Sequence, residues 1–264
     1  MIDQGLVLLN IKDGVAHLTL NRPEASNGMN VEFLKALCDA IMTCHGAAGV
    51  RVVLLRGSGK NFCAGGDVHT FASKGEGMPD YLRMATALLQ NAVAGLLRLN
   101  APVVTSVQGF AAGGGGFGLV CASDLVIAGE SAKFFAGATR VGMAPDAGVS
   151  VILPRLVGLR RAAEIILTNP ILTAGEARTL GIVNRVVPDA QLENDSLAWA
   201  HELAAGAPKA LAAAKRMLWA GLAGGVDGCL SEEARVVSEL SGTADAREGL
   251  AAVIERRKPV FTGR

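Results

Sequence analysis

The sequence predicts an α/β protein with an all-helical C-terminal region, on three observations. Short runs rich in Val, Ile and Leu alternate with helix-period segments over about residues 1–188. Glycine-bearing turns stand where those runs hand over to helices, at "FCAGGDV" and "GFAAGGGGFGL". From about Asp189 onward the period is helical only. No low-complexity linker or internal repeat interrupts the chain, so it reads as one unit, drawn as a core of residues 1–200 and a helical region of residues 201–264.

Each element has its own signal. "LVLLNIKDGVAHLTLNRPE" reads as a hairpin, with strands near residues 6–11 and 15–20 around the favoured turn Asp13-Gly14. Asn30 is an N-cap for a helix whose Leu34, Leu37, Cys38, Ile41 and Met42 recur at helical spacing. "VRVVLLRGSG" is a buried strand, followed by the turn "KNFCAGGDV". A second helix runs from about Pro79 to Arg98 with Leu82, Leu88, Leu89, Val93, Leu96 and Leu97 on one side. "APVVTSVQG" is a strand; four glycines, 113–116, then stand between it and a small-residue helix ending near Ser123, ahead of the strand "DLVIAG". After "SAKFF" come helices from about Ala147 and from Leu159 to Thr168. "TAGEARTLG" is capped by Thr173 and stopped by Gly181, and "IVNRVV" is a last strand. The helical tail breaks near Pro208, across residues 221–228 and at Gly242.

Composition removes several classes of function. Half of the 264 residues are hydrophobic and 19% are charged, the balance of a folded chain. Thirty-three glycines with only 4% aromatics favour close backbone packing and argue against a base-stacking nucleic-acid reader. A net charge of +1 provides no field to recruit nucleic acid or an anionic membrane. Apolar runs fall well short of the ~18 residues of a membrane span, and "MIDQGLVLLN" lacks the basic start of a secretion signal. Cys38, Cys44, Cys63, Cys121 and Cys229 are scattered, with no metal-ligand spacing; a reduced, cytoplasmic setting and no metal site are expected.

The two glycine junctions hold the chemical interest. A helix start leaves backbone N–H groups without partners, and its dipole favours negative charge. Removing side chains lets a ligand atom approach those donors. Neither GxxxxGK[ST] nor GxGxxG with a downstream acid on a following strand is present, so a phosphate loop is not indicated, and either junction alone reads as well as a tight turn.

In order along the chain, "LNRPEASNGMN", "NFCAGGDV", "VQGFAAGGGGFGLVCASDLVIA", "SAKFF…VGMAPDAG" and "LTAGEARTLGIVNRVVP" resemble the enoyl-CoA hydratase/isomerase (crotonase) family almost from end to end. The resemblance implies a spiral of ββα turns, a C-terminal helical region that builds trimers or dimers of trimers, and an acyl-CoA thioester as substrate. Coenzyme A would be part of that substrate, with no other cofactor. In the family, two backbone N–H groups hold the oxyanion of a thioester enolate. Carried over, one is that of Gly66. The other falls at Gly114 counting forward from Gly109, or at Gly115 counting back from Asp124, because this stretch is one residue longer than the usual spacing. Helix register fixes an N–H more firmly than a loop does, which favours Gly115.

The resemblance also bears on the reaction. The two glutamates of family hydratases would fall at Phe117 or Gly118 and at Ala138, none of them acidic. Asp146 of "MAPDAG" matches instead the aspartate that isomerase-like members such as 1,2-epoxyphenylacetyl-CoA isomerase place in a Pro-Asp-x-Gly turn. A lone carboxylate beside an oxyanion hole implies double-bond isomerisation, with Asp146 as proton shuttle; an N-cap role for Asp146 is the plainer alternative. A dehalogenase of the 4-chlorobenzoyl-CoA type uses an aspartate at the same place as nucleophile, but its tryptophan would fall at Ala138. A catalytically silent coenzyme A-binding homologue is a third reading. On the coenzyme side the resemblance implies Arg22, Ala25, Ala64, Asp67, Lys258 and Phe261, although Asp67 also suits a helix cap. Phe134 and Phe135 read as core, a lone His69 as structural, and Met84 and Leu88 as either core or acyl-tunnel wall.

Overall fold

The structure, a computed structural model, describes residues 1–222 and 224–264. The hairpin forms as read: β1 (Val7–Lys12) and β2 (Val15–Leu20) pair antiparallel. Asp13 and Gly14 between them have φ of 51° and 80°, the two positive values that a tight turn matching strand twist demands. Asn30 caps α1 (Val31–Gly46), its side chain accepting the Phe33 N–H at 2.9 Å. The chain continues through β3 (Val52–Gly57), α2 (Val68–Ala72), α3 (Met78–Arg98), β4 (Val103–Val107), β5 (Phe110–Ala112) and α4 (Gly113–Cys121). Then come β6 (Leu125–Gly129), β7 (Lys133–Phe135), α5 (Val149–Val157), α6 (Leu159–Thr168), β8 (Leu172–Thr173), α7 (Ala174–Thr179) and β9 (Arg185–Val187). Thr173 and Glu176 close a reciprocal capping box at the start of α7. The tail is α8 (Leu192–Ala204), α9 (Pro208–Gly221), α10 (Val226–Ser241) and α11 (Ala244–Glu255). The break expected across residues 221–228 is shorter, since Gly228 lies inside α10; Ala223 is outside the described residues.

Six strands form one sheet in the order β1-β2-β3-β4-β6-β9, parallel apart from the hairpin. Its interior strands are covered on both faces, which is why "VVLL" and "VVTSV" read as continuous rather than alternating apolar runs. Val53, Leu55 and Val103 face the main core with Phe33, Leu37, Ile41 and Leu96 from α1 and α3. Val52, Leu54, Val104 and Ile127 face Leu192, Trp199 and Ala200 of α8. The boundary drawn at residue 200 thus falls within α8, a helix that completes the sheet.

A second stack runs beside the first. Met29 bridges Gly66, Cys63 bridges Ala111, β5 pairs parallel with β7, and β7 pairs antiparallel with β8. Successive turns of the spiral therefore lay their glycine junctions side by side.

Some side chains depart from expectation. Met42 is 63% exposed, because one further step around α1 from the buried Ile41 carries it off the inward face. Phe134 is core, but Phe135, on the opposite face of β7, lines the cavity described below. Met84 is exposed and Leu88 packs on the core.

Candidate active site

The first junction follows β3, and its geometry rests on one peptide unit. The Gly65 carbonyl accepts the Met29 N–H at 2.8 Å, and the Asp67 N–H donates to the Met29 carbonyl at 3.0 Å. In a trans peptide C=O and N–H point opposite ways. With the Gly65 carbonyl held toward Met29, the Gly66 N–H is turned away from it, and among the described residues no acceptor takes it. Gly65 has φ of 97°, and a Cβ there would stand 2.9 Å from the Ala112 carbonyl oxygen, so both conformation and space require glycine.

The second junction differs from expectation, because the four glycines are the first turn of α4 rather than a loop before it. Their neighbours explain them. Gly113 has φ of 59° at the strand-to-helix corner. A Cβ on Gly114 would overlap the Asp146 carboxylate, and one on Gly116 would overlap the Cys63 carbonyl. A Cβ on Gly115 would come within 2.9 Å of Met29 Sδ and 3.1 Å of the Gly65 backbone. The cap residue Ala112 offers no side-chain acceptor. The N–H groups of Gly113, Gly114 and Gly115 therefore lack i−4 acceptors at the positive end of the α4 dipole.

Both junctions open on a cavity of about 770 Å³. Met29, Leu34, Phe71, Leu82, Ala85 and Leu89 give it apolar walls, and Asp146 is the one ionisable side chain lining it among the described residues. Thr86 also lines it, but its hydroxyl donates to the Leu82 carbonyl at 2.8 Å. A smaller cavity of about 440 Å³, bordered by Lys12, His17, Arg56 and His201, lies at the outer face of the hairpin and contains neither junction.

Asp146 is not a helix cap. The N-cap of α5 is Gly148, with no side-chain bond, and Asp146 accepts the Val149 N–H only through its main-chain carbonyl, at 2.9 Å. The side chain turns instead toward the start of α4, against Gly114. No ion pair among the described residues engages it. Burial raises its carboxyl above the ordinary aspartate value, and its own N–H offsets this only in part. Ala147 follows with φ of 51°, and its Cβ is 2.5 Å from where a Cβ of Gly118 would lie. Of the three positions where hydratase glutamates were sought, Phe117 is buried core, Gly118 is closed by Ala147, and Ala138 lines the cavity with a methyl group.

The coenzyme-side set divides. Ala64 lines the cavity, and its N–H donates to the Ser26 carbonyl at 2.9 Å, which draws the turn containing Ala25 alongside. Arg22 and Asp67 meet each other, at 2.8 Å. Asp67 also accepts the Thr70 N–H at 3.0 Å and the Thr70 hydroxyl at 2.7 Å, so it caps α2. Burial opposes ionisation of Asp67, but the Thr70 bonds and Arg22 outweigh it and bring the carboxyl down to about 2. Lys258 and Phe261 are elsewhere. The Phe261 carbonyl accepts from Arg51, which precedes β3, whereas the cavity lies beyond the far end of that strand. Neither lines the cavity within one chain. His69 is exposed and outside the cavity lining.

Other contributors left little trace in the sequence. Met29 holds the Gly65 carbonyl through its main chain, which no residue type signals. Phe71 rests its ring 2.5 Å from where a Cβ of Gly66 would be. Asn27 is buried and donates to the carbonyls of Ser58, Asn61 and Phe62; its Asn-Gly pair was the available signal. Asn169 accepts the Gly137 N–H at 2.7 Å, fixing the turn that carries Ala138.

A spiral of ββα turns whose two glycine junctions share one cavity defines the crotonase-type fold. The chain superposes on the crystal structure of enoyl-CoA hydratase from Bacillus anthracis with a TM-score of 0.93, at 31% identity over 98% of this chain and 100% of that one. The family model for enoyl-CoA hydratase/isomerase matches residues 10–264, and the chain belongs to that family of acyl-CoA enzymes. It is 39% identical over 254 residues, 96% of each chain, to a probable enoyl-CoA hydratase of Rhodobacter capsulatus. It is 34% identical over 260 residues, 98% of each, to 1,2-epoxyphenylacetyl-CoA isomerase of Escherichia coli.

Proposed function

We propose that this enzyme moves a double bond of an enoyl-CoA from position 3 to position 2, with Asp146 as the sole proton carrier. The Asp146 carboxylate takes a proton from the carbon alpha to the thioester. The released electron pair spreads through the enolate, whose oxygen accepts from Gly66 and from Gly115 or its neighbour Gly114. The same carboxyl returns the proton at the gamma carbon, so charge and atoms balance without water or a co-reactant. Preorganised backbone donors lower such a barrier by about 2.7–4 kcal/mol each.

The observation that carries this reading is that Asp146 is, among the described residues, the one ionisable side chain at the cavity and lies against the turn supplying the second donor. Two-carboxylate hydration lacks its partner acid, since Ala147 fills the space at Gly118 and Ala138 is a methyl. Apart from Asp146 and Thr86, whose hydroxyl is bonded within its helix, the side chains of the cavity walls are apolar, which favours an unsubstituted alkyl or aryl acyl group. Lys258 and Phe261, which do not line the cavity, would contact coenzyme A from a neighbouring subunit of a trimer or dimer of trimers.

Incubation with a trans-3-enoyl-CoA in deuterated water tests the proposal. The expected product is the 2-enoyl thioester, with deuterium at the gamma carbon in proportion to exchange at Asp146. A 3-hydroxyacyl product, or binding with neither isomerisation nor exchange, would refute it.

A further inference from the structure

The resemblance places Arg22 on the coenzyme side, and in the structure its guanidinium is bonded within the protein. A single atom, Nη1, donates to the Gly28 carbonyl at 2.7 Å and to Asp67 Oδ2 at 2.8 Å. Side-chain exposures are 19% for Arg22 and 8% for Asp67. Gly28 precedes Met29 and Asp67 follows Gly66, and Met29 and Gly66 are the bridged pair that aims the first oxyanion donor. The guanidinium thus fastens the two segments one residue to either side of that bridge.

The fastening has a rigid base. The Arg22 N–H donates to Asn27 Oδ1 at 2.8 Å, and the Arg22 carbonyl accepts from Asn27 at 2.9 Å. Asn27 is itself buried and bonded to three carbonyls of the loop that follows β3. On the far side, the bonds from Asp67 to Thr70 fix the start of α2, whose Phe71 backs Gly66. Main-chain bonds join these segments before the bridge, from Ala64 to Ser26, and at it, between Met29 and both Gly65 and Asp67. The Arg22 guanidinium adds a side-chain tie at Asp67, where the twist of the segments sets the direction of the Gly66 N–H.

We infer that Arg22, through its ion pair with Asp67, is a positioning residue for the Gly66 oxyanion donor. The inference rests on the oxyanion reading above. Loss of Arg22 leaves Asp67 charged at a nearly buried site without its counter-ion and drawn toward water. The 65–67 segment follows it, and the N–H swings off the thioester oxygen. Misplacement of a reacting contact by about an ångström is worth about 100-fold in rate.

The test reads the bond itself. Isotope-edited infrared spectroscopy of [1-13C]octanoyl-CoA, a saturated thioester that cannot isomerise, reports polarisation of its carbonyl on binding. The carbonyl stretch is expected to fall on the wild-type protein, to fall clearly less on Arg22→Met, and to return toward the wild-type position on Arg22→Lys. Turnover of a 3-enoyl-CoA is expected to show kcat lower by about 10- to 100-fold in Arg22→Met, with KM within about threefold. A wild-type carbonyl shift retained in Arg22→Met would overturn the inference, as would an increase in KM with kcat intact, the mark of a phosphate contact. Asp67→Asn, of the same shape, reads the same ion pair should Arg22→Met not fold: a reduced shift supports the assignment and a full shift overturns it. A wild-type protein that leaves the carbonyl unshifted removes the oxyanion reading and the positioning role together, whereas a shift on the wild type with no turnover removes the isomerase reading alone.

Discussion

Burial opposes the negative charge that Asp146 needs as a base, and two predictions follow from that. As a base it must be ionised, and its carboxyl titrates above the ordinary aspartate value because the cavity desolvates it. The acid limb of kcat/KM is therefore expected above the ~3.9 of a free aspartate; a limb at or below that value would contradict the assignment. Stability shows the reverse of activity. A carboxyl whose folded-state pKa is raised favours the fold most at pH values below its unfolded pKa. That contribution is lost as pH rises through the folded value. Asp146→Asn should accordingly raise Tm at neutral pH, with the gain fading as pH falls to 4, and calorimetry across that range checks it.

The glycines of α4 divide by what touches them. A methyl on Gly114 meets the free end of the Asp146 side chain, which can move aside; Gly114→Ala should keep a near-normal Tm and lose about 100-fold in turnover. A methyl on Gly116 meets the backbone carbonyl of Cys63, which cannot; Gly116→Ala should cost about 1–3 kcal/mol in a denaturation curve. Equal losses of activity and stability in the two variants would contradict this division. Both predictions depend on neighbours remote in sequence. The glycine run was legible as a place of close approach, but what approached each residue was not.

At the scale of elements, a buried polar cluster ties α9 to the sheet. Lys215 of α9, 4% exposed at its side chain, pairs with Asp124 at 2.7 Å and donates to the carbonyls of Leu96 at 2.8 Å and Ala101 at 3.1 Å. Asp124 also accepts the Val103 N–H at 2.7 Å and the Trp219 Nε1–H at 2.8 Å, so α3, β4 and α9 meet at this ion pair, α3 through Lys215. Burial lowers the Lys215 pKa even with Asp124 beside it, a sign that the pair secures position more than it adds stability. Removing one partner strands the other, so Lys215→Met should lower unfolding free energy by about 3 kcal/mol in urea titration, and an unchanged midpoint would remove the cluster from the account.

The elements themselves were readable because their signals are local: the Asp13-Gly14 turn, the Asn30 cap, the Thr173 capping box and the apolar period of α3 all act within a few residues. Features set by the next turn of the spiral were not readable. Phe135 faces the cavity because β5 and β8 flank its strand, and Asp146 is free of capping because Ala147 and Gly148 both adopt positive φ. The ion pair of Arg22 was not readable for the same reason, its partner lying 45 positions away.

At the scale of the whole molecule, the described tail leaves Leu218, Val237, Leu250, Val253 and Ile254 exposed in a single chain, an apolar surface that a solitary protein rarely keeps uncovered. Self-association is the expected outcome, and sedimentation equilibrium should return three or six subunits. Val253→Asp should shift that mass downward; a monomeric wild-type protein would contradict the expectation.

The central claim is that a single carboxylate does all the proton work beside two main-chain donors. Its most direct measurement pairs turnover of a 3-enoyl-CoA with calorimetric affinity for a saturated acyl-CoA, in wild type and Asp146→Asn. The account predicts that the variant binds within a few-fold of wild type and turns over at least about 1000-fold more slowly. Turnover within about tenfold of wild type, at unchanged affinity, would contradict it.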